Sequence, residues 1–379
     1  MINSNTYDII VVGLGANGSA ALWHLAKTNK RILGIDRFQP PHNKGSSHGK
    51  SRIIRQAYHE SPVYVPLVKA AYPLWAELEA KARKPLFQKT GGLLLGAADT
   101  TVVQGARLSA QTHDIPFEWL EAPEIRRRFP AFRPTAGTVG VLEKEAGILY
   151  PEECIRAFLD QAASNGAAIH PNEPVTRITP EAAHITITTN VATYHTERLI
   201  VSAGAWLDRL LPQLQLPLSI ARQPLFWFGN AGPQFSPANM PIFIWEYEKE
   251  KMFYGFPDIG AGVKLAPHHG GRPIDPDLLR NDPTPGEIES IAALAKKYLD
   301  FDPAFLRSEV CMYTNTPDEN FILDLHPHHP NIVIASPCSG HGFKFSSFTG
   351  KLLANLALTG NSPIDLTPFS ITRPALTPH

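Results

Sequence analysis

Three glycines near the start of the chain have the spacing of a nucleotide-binding loop. Gly13, Gly15 and Gly18 directly follow the apolar run at residues 8–12. The first glycine allows a tight turn, the second lets a pyrophosphate approach the backbone, and the third lets a helix pack closely against the strand. Asp36 ends the next apolar run, where a carboxylate can accept a hydrogen bond from a ribose hydroxyl. This pattern predicts a dinucleotide site, although the glycines alone do not separate NAD from FAD.

A second glycine-rich segment lies far along the chain, at residues 339–344, and carries a cation that could bind an anionic substrate. The cofactor contacts predicted in this segment are Gly340, Gly342, Phe343 and Lys344. NAD enzymes often continue with a second mononucleotide-binding half, but residues 40–150 lack that alternation of strands and helices. Together the two segments predict a flavoenzyme whose chain ends converge on one cofactor, FAD.

The composition is that of an ordinary globular protein. The chain has 379 residues, 43% of them hydrophobic and 18% charged, and this length predicts two domains. With 35 basic and 35 acidic residues, the zero net charge favours neither nucleic acid nor a membrane surface as partner. Three cysteines, an odd number, indicate a reducing compartment. Without a signal-peptide pattern or an apolar run of ~20 residues, the sequence predicts a soluble cytoplasmic protein, which we expect to be a monomer.

The hydrophobic pattern alternates between strands and helices at the start of the chain. Residues 7–12 and 31–35 have the pattern of buried strands on either side of a helix at 17–28. A polar loop follows over residues 40–51, and loops of that length are usually functional. A long helix is predicted from Pro62, because serine precedes the proline in the usual capping order.

Later segments predict a second, mainly antiparallel sheet between residues 219 and 266. We therefore predict an α/β (α+β) fold, with a Rossmann-type FAD-binding domain interleaved with a mixed-sheet substrate domain. The predicted FAD-binding domain is discontinuous and comprises residues 1–85, 147–218 and 310–379. The predicted substrate or catalytic domain comprises residues 86–146 and 219–309.

Four segments resemble the family of monomeric sarcosine oxidases and N-methyltryptophan oxidases. They follow the family's order, at residues 40–58, 254–257, 311–319 and 339–346. The most specific are the Ser-His-Gly…Arg-Ile-Ile-Arg and Gly-His-Gly-Phe-Lys motifs. The resemblance implies FAD attached through a cysteine sulfur. It also implies oxidation of a secondary amine in an N-methyl amino acid to an imine, hydrolysis of that imine, and reduction of O2 to hydrogen peroxide.

The resemblance also implies roles for individual residues. Cys311 is the implied attachment point of the flavin, and Lys264 the implied lysine beside flavin N5 that promotes oxygen reduction. Arg55 and Lys344 are the implied pair that binds the substrate carboxylate, for which a guanidinium fork is well suited. The implied catalytic residues are Lys264, Arg52, His268 and Tyr254, and the last two also bind substrate. Further cofactor contacts are expected at Ser46, His48, Ser51, Arg52, Val175, Gly204 and Trp206, although packing would also explain Trp206.

Two positions depart from the family pattern. Ser51 replaces an expected threonine, and Cys338 replaces a large apolar residue, which makes Cys338 a second candidate for the flavin tether. Several other functions stay open. They are a flavin dehydrogenase of the same fold, an oxidase of glycine, proline or pipecolate, a non-catalytic flavin-binding partner, and a nicotinamide dehydrogenase. We expect no metal, because the histidine cluster lacks the cysteine or carboxylate ligands of a closed site; that cluster is His326, His328 and His329.

Overall fold

The computed structural model of the chain describes residues 5–280 and 282–376. These residues form three sheets and eight α-helices. The strands are β1 (Thr6–Val12), β2 (Ile32–Ile35), β3 (Arg52–Ile54), β4 (Phe87–Lys89), β5 (Gly92–Ala97), β6 (Glu118–Glu121), β7 (Thr138–Glu143), β8 (Gly147–Leu149), β9 (Ala168–His170), β10 (Val175–Pro180), β11 (Ile185–Thr189), β12 (Thr193–Val201), β13 (Ser219–Gly229), β14 (Ile242–Glu248), β15 (Lys251–Phe256), β16 (Val263–His268), β17 (Ala304–Asn315), β18 (Ile322–His326) and β19 (His329–Ser336). The helices are α1 (Ala16–Leu25), α2 (Val65–Ala82), α3 (Thr101–Thr112), α4 (Ala122–Arg128), α5 (Pro151–Ser164), α6 (Leu207–Leu210), α7 (Pro285–Tyr298) and α8 (Ser346–Thr359).

The first sheet contains the predicted strand–loop–helix unit. β1 pairs in parallel with β2 and β12, and β12 pairs in parallel with β19. Residues 9–12 of β1 and all of β2 are apolar or glycine and buried, as expected for parallel strands covered on both faces. Helix α1 lies against α8, where an added Cβ on Gly350 would come within 2.4 Å of the Cβ of Ala20. The glycine therefore allows the two ends of the chain to pack closely together, and the predicted Rossmann-type α/β fold is confirmed.

The second sheet has the strand order β17-β13-β16-β15-β14-β5-β7-β6 and is mostly antiparallel. One of its faces packs on a cluster of aromatic and aliphatic side chains that includes Phe243, Trp245 and Tyr298 of α7. A third, three-stranded sheet joins β3, β8 and β4. In the chain, β3 follows the loop after β2, β4 precedes β5, and β8 follows β7. The third sheet therefore links the loop after β2 to segments that lead into and out of the second sheet.

The predicted domain boundary at residue 310 falls inside β17. This strand pairs with β13 along its length, from Ser219 opposite Asn315 to Gly229 opposite Ala304. A division that follows the sheets therefore keeps all of β17 with the second sheet, and the two-domain division itself stays a prediction. Within residues 5–280 and 282–376, no helix combines the length and apolar character needed to span a bilayer. Cytoplasmic location and a monomeric state stay predictions as well.

Candidate active site

The glycine loop forms one end of a cavity of about 310 Å³. Gly13 has a φ of 88°, and an added Cβ at Gly18 would lie 1.8 Å from the Gly13 carbonyl oxygen. The backbone N–H of Leu14 donates to Asp36 Oδ2 at 2.6 Å, so the carboxylate after β2 fixes the loop. No side chain caps the first turn of α1, whose residues Ala16 and Asn17 line the cavity. An uncapped helix N-terminus beside a glycine turn is suited to a pyrophosphate, so these residues fit a dinucleotide.

Most of the predicted cofactor contacts up to residue 206 lie around this cavity. Its walls include Gly13, Gly15, Asp36, Ser46, Val175, Gly204 and Trp206. Gly18 does not line it, because it packs behind the loop against Gly13. Sequence reasoning missed Glu173, a buried wall residue whose backbone N–H donates to the Asp36 carbonyl at 2.8 Å. Its only signal was a turn-forming Pro-Asn-Glu-Pro stretch at residues 171–174.

A second cavity of about 110 Å³ adjoins the first. The two share walls formed by Ser46, Ser47, Pro337 and Cys338. The other predicted site residues on its walls are Arg52, Arg55, Tyr254, His268, Cys311, Gly340, Gly342, Phe343 and Lys344. Three more predicted site residues, His48, Ser51 and Lys264, are buried behind these walls. The structure therefore brings residues from both ends of the chain and from the second sheet to one place.

Cys311 is the cysteine with the most polar surroundings. Its Sγ accepts a hydrogen bond from Arg52 NH2 at 3.2 Å and lies 3.5 Å from His48 Nε2. Burial alone would raise the pKa of this thiol, but His48 and then Arg52 bring it down to about 6. Burial instead raises the thiol pKa of both Cys154 and Cys338. Cys311 is therefore the cysteine best able to react as a thiolate near neutral pH.

Lys264 projects from β16 into a fully buried position. Its Nζ donates to the carbonyl oxygens of Gly49 at 2.7 Å and Ser51 at 3.0 Å, and to Ser51 Oγ at 3.1 Å. No carboxylate of the described chain forms an ion pair with it. Burial, and next the charge of Arg52, lowers the pKa of Lys264 well below its ordinary value. The amine is therefore held beside the second cavity with neutral oxygens as its hydrogen-bond partners.

The guanidinium of Arg55 is already paired with a carboxylate of the same chain. Its NH2 donates to the two oxygens of Glu60 at 2.8 and 2.6 Å and contacts His59 Nδ1 at 2.9 Å. Its Nε is buried and has no hydrogen-bond partner. Burial would raise the pKa of Glu60, but Arg55 holds it well below the usual value, so the pair is ionised. A substrate carboxylate could take the fork of Arg55 only if Glu60 released it.

Lys344 supplies the second cation of the small cavity. It is 5% exposed, and its Nζ donates to the His341 carbonyl oxygen at 2.8 Å and to Tyr58 Oη at 3.4 Å. No ion pair to Lys344 occurs within the described ranges. Burial, followed by repulsion from Arg55, lowers its pKa to about 7. An incoming carboxylate would therefore restore a favourable charge balance around Lys344.

Three rings form another wall of the small cavity. The ring of His268 lies 5.9 Å from that of Tyr254 and 6.2 Å from that of Tyr313, at steep angles in both cases. Burial, and next His269, lowers the pKa of His268, so its imidazole is neutral. Tyr313 was not among the predicted site residues, although it directly follows the Cys-Met pair of the attachment segment.

His59, Glu60 and His268 place one potential metal-binding atom each within 4.8 Å of one another. The guanidinium of Arg55 already donates to His59 and Glu60. A metal cation at this position would be repelled by the positive charge of the guanidinium. We therefore assign these contacts to the support of Arg55 rather than to a metal. Sequence reasoning missed His59 and Glu60, because they lie in a turn without periodic pattern.

Comparison with known proteins places the chain in a family. The family model described as FAD dependent oxidoreductase matches residues 8–356. The monomeric sarcosine oxidase of Streptomyces avermitilis is 40% identical over 383 residues, covering 99% of this chain and 100% of that protein. The N-methyl-L-tryptophan oxidase of Yersinia pestis (strain Pestoides F) is 36% identical over 97% of this chain and 99% of its own length.

Solved structures share the fold over almost the whole chain. NikD, described as an unusual amino acid oxidase essential for nikkomycin biosynthesis, matches with a TM-score of 0.85 and 25% identity, covering 97% of this chain and 98% of that one. A glycine oxidase from Geobacillus kaustophilus matches with a TM-score of 0.80 and 21% identity, covering 98% and 99%. The chain belongs to the FAD-dependent oxidoreductase family, in the group that contains the monomeric sarcosine oxidases and the N-methyl-L-tryptophan oxidases.

Proposed function

We propose that the chain oxidises a small secondary amino acid, such as an N-methyl amino acid, to an imine that water then hydrolyses, with O2 reduced to hydrogen peroxide. The observation that carries this proposal is the pair of buried cations, Arg55 and Lys344, on one wall of a small cavity that adjoins the dinucleotide cavity. An α-carboxylate is the natural ligand for such a pair. The names of the relatives at 40% and 36% identity support the same class of substrate.

The wall residues of the larger cavity fit FAD, the cofactor of the family. Gly13, Gly15 and the first turn of α1 would hold the pyrophosphate, and Asp36 would hold a ribose. The bound flavin supplies the two-electron chemistry of amine oxidation, and the protein supplies binding, orientation and charge. The shared wall at Ser46, Ser47 and Cys338 would join the cofactor to the substrate cavity.

The residues of the small cavity would position the substrate. Lys344 and Arg55 would hold its carboxylate, after Glu60 leaves the guanidinium. Holding the substrate in one orientation can lower the activation free energy by roughly several kcal/mol, because the translational and rotational entropy is already lost on binding. The fixed cations also favour loss of the ammonium proton, so that the substrate amine reacts as a free base. His268 and Tyr254 would flank that amine, and neither must act as an obligate base.

The substrate class is tested by mixing the purified protein with candidate amines without oxygen. We expect N-methylglycine and similar small N-methyl amino acids to bleach the flavin absorbance, and peroxide to form when air is admitted. A cavity of about 110 Å³ favours small substrates over N-methyltryptophan, since drug-sized ligands occupy clefts of about 300–1,000 Å³. Bleaching without peroxide would favour a dehydrogenase. Bleaching by glycine, proline or pipecolate alone would favour an oxidase of primary or cyclic amino acids.

We further propose that the flavin is attached covalently through Cys311. The intact mass of the denatured protein is expected to exceed the chain mass by one FAD, and a peptide map should place that mass on Cys311. Cys311→Ser should remove the added mass, whereas Cys154→Ser and Cys338→Ser should keep it, because burial leaves those two thiols protonated. Added mass on the peptide of Cys338 would contradict the assignment, and its complete absence would contradict covalent attachment.

Binding of the substrate carboxylate should weaken as pH rises through about 7, where Lys344 loses its charge. Below that pH the ammonium is present. Above it the lysine must take up a proton on binding, which weakens affinity by up to about tenfold for each pH unit. The affinity of propionate, a carboxylate without an amine, should show this slope in a titration of the flavin spectrum. Lys344→Met should flatten the slope, and Lys351→Met, which replaces an exposed lysine of the following helix α8, should retain it. An unchanged slope in Lys344→Met would exclude Lys344 as its source.

A further inference from the structure

Three side chains follow one another on the same face of β17. Residues two apart in a strand point to the same side, and Arg307, Glu309 and Cys311 are spaced in this way. Arg307 NH1 donates to Glu309 Oε1 at 2.5 Å. This row is at the edge of the second sheet, since β13 is the only strand paired with β17 in the described chain.

The imidazole of His48 bridges two members of this row. Its Nδ1 lies 3.1 Å from Glu309 Oε2, and its Nε2 lies 3.5 Å from Cys311 Sγ. The His48 side chain is 4% exposed and that of Glu309 is 26% exposed. The buried sulfur is therefore connected to a solvent-accessible carboxylate through one ring.

We propose that Glu309 is a positioning residue that holds His48 with Nε2 directed at Cys311, so that His48 takes the thiol proton and Cys311 is kept as a thiolate. A carboxylate at Nδ1 fixes the proton on that nitrogen and leaves Nε2 free to accept, as the aspartate of a serine-protease triad does for its histidine. The S–H proton moves to Nε2, and the resulting imidazolium lies between two anions. The hydrogen bond from Arg52 to the sulfur stabilises the same state from the other side.

The pKa shifts of His48, Glu309 and Cys311 agree with this arrangement. Burial alone would lower the pKa of His48, but Cys311 and Glu309 raise it to about 9. Burial would raise the pKa of Glu309, but His48 and Arg307 lower it to about 2. The other titratable or charged groups that face the sulfur are Arg52 on β3, Lys264 on β16, Tyr254 on β15 and Tyr313 on β17. Glu152 of α5 lies beyond them, where it accepts from the backbone N–H of Gly49 at 2.9 Å.

The consequence for the flavin tether rests on the proposed function. Attachment joins the sulfur to a methyl carbon of the flavin with loss of the thiol proton and one methyl proton. The two electrons released reduce O2, the acceptor of the proposed reaction, to hydrogen peroxide. Since the thiolate is the nucleophile, the rate of attachment should follow the fraction of Cys311 that is ionised.

The test follows alkylation of Cys311 by iodoacetamide against pH. Full-length protein is prepared from a riboflavin-limited host so that it is free of flavin, and the alkylated peptides are quantified by mass. Cys154 and Cys338 serve as internal references in the same digest. We expect a midpoint near 6 in the wild type, an increase in Glu309→Ala, and an intermediate value in Glu309→Gln, which keeps an acceptor for Nδ1 without the charge. An increase of one pH unit would reduce the thiolate fraction at about pH 5 about tenfold.

The matched control is Glu118→Ala at the opposite edge strand of the same sheet, where Glu118 pairs with Arg128 at 2.6 Å. Its midpoint should equal that of the wild type. A wild-type midpoint in Glu309→Ala would overturn the proposal, even if the protein carries covalent flavin. A raised midpoint in Glu309→Ala, together with no covalent flavin in any variant, would instead support the proposal and refute the tether. When FAD is added at about pH 5, Glu309→Ala should attach it about tenfold more slowly, in line with its thiolate fraction.

Discussion

Replacing Lys264 with methionine is expected to slow the reaction of the reduced enzyme with O2 by about 10²–10³, while reduction by substrate changes only a few-fold. Oxygen acquires negative charge only as it accepts electrons, so a fixed cation stabilises that step and not substrate binding. Lys264 is suited to this role because its Nζ donates hydrogen bonds to oxygens of Gly49 and Ser51, and no carboxylate of the described chain pairs with it. Burial lowers its pKa, and an anion formed nearby would favour its charged form again.

Stopped-flow absorbance separates the two half-reactions. Reduction is followed anaerobically with N-methylglycine, and reoxidation is followed by mixing the reduced protein with oxygenated buffer. Lys251→Met is the matched control, because Lys251 lies on the neighbouring strand β15 but is exposed and paired with Glu248 at 2.8 Å. Equal slowing of both half-reactions in Lys264→Met would exclude a specific role in oxygen reduction. In that case the lysine would serve only to hold the loop at Gly49 and Ser51.

The parts of the site that the sequence predicted are those with a local signal. The glycine loop is constrained by its own backbone, since Gly13 needs a positive φ and Gly18 must pack against it. The long strand β13 shows its burial pattern over many residues. Strands of three residues, such as β3 and β8, are too short for a period to appear, and both were missed.

The contacts that tune the site have no such signal. His48 and Glu309 are 261 positions apart, and nothing in either segment indicates that they meet. Their contact depends on how β17 aligns with the loop before β3, which is a property of the packed sheets. Arg55 is a different case, because the family resemblance implied that its guanidinium binds the substrate carboxylate. The structure pairs it with Glu60, a residue of an irregular turn only five positions away.

Because of this pairing, substitutions of Arg55 and Glu60 are expected to act in opposite directions. Arg55→Lys should raise the half-saturation concentration of substrate about ten- to a hundredfold, since hydrogen bonds to a charged group contribute about 1.5–3 kcal/mol and lysine lacks the fork. Glu60→Gln should lower the half-saturation concentration several-fold, because it removes a charged competitor for the guanidinium. Arg55→Ala alone would leave Glu60 buried without its partner and destabilise the fold. The alanine substitution is therefore made together with Glu60→Gln, and this double variant should bind substrate at least as weakly as Arg55→Lys.

Steady-state rates and the affinity of propionate, measured from the flavin spectrum, check both directions. Arg133→Lys is the matched control, because Arg133 forms an exposed pair with Asp300 at 2.6 Å, far along the chain from the cavity walls. An unchanged half-saturation concentration in Arg55→Lys and in the double variant would remove Arg55 from the carboxylate site. A higher value in Glu60→Gln would mean that Glu60 holds Arg55 in its binding position rather than competing for it. The proposed displacement of Glu60 by the substrate carboxylate would then be contradicted. Lys344 would instead be the residue that binds the carboxylate first.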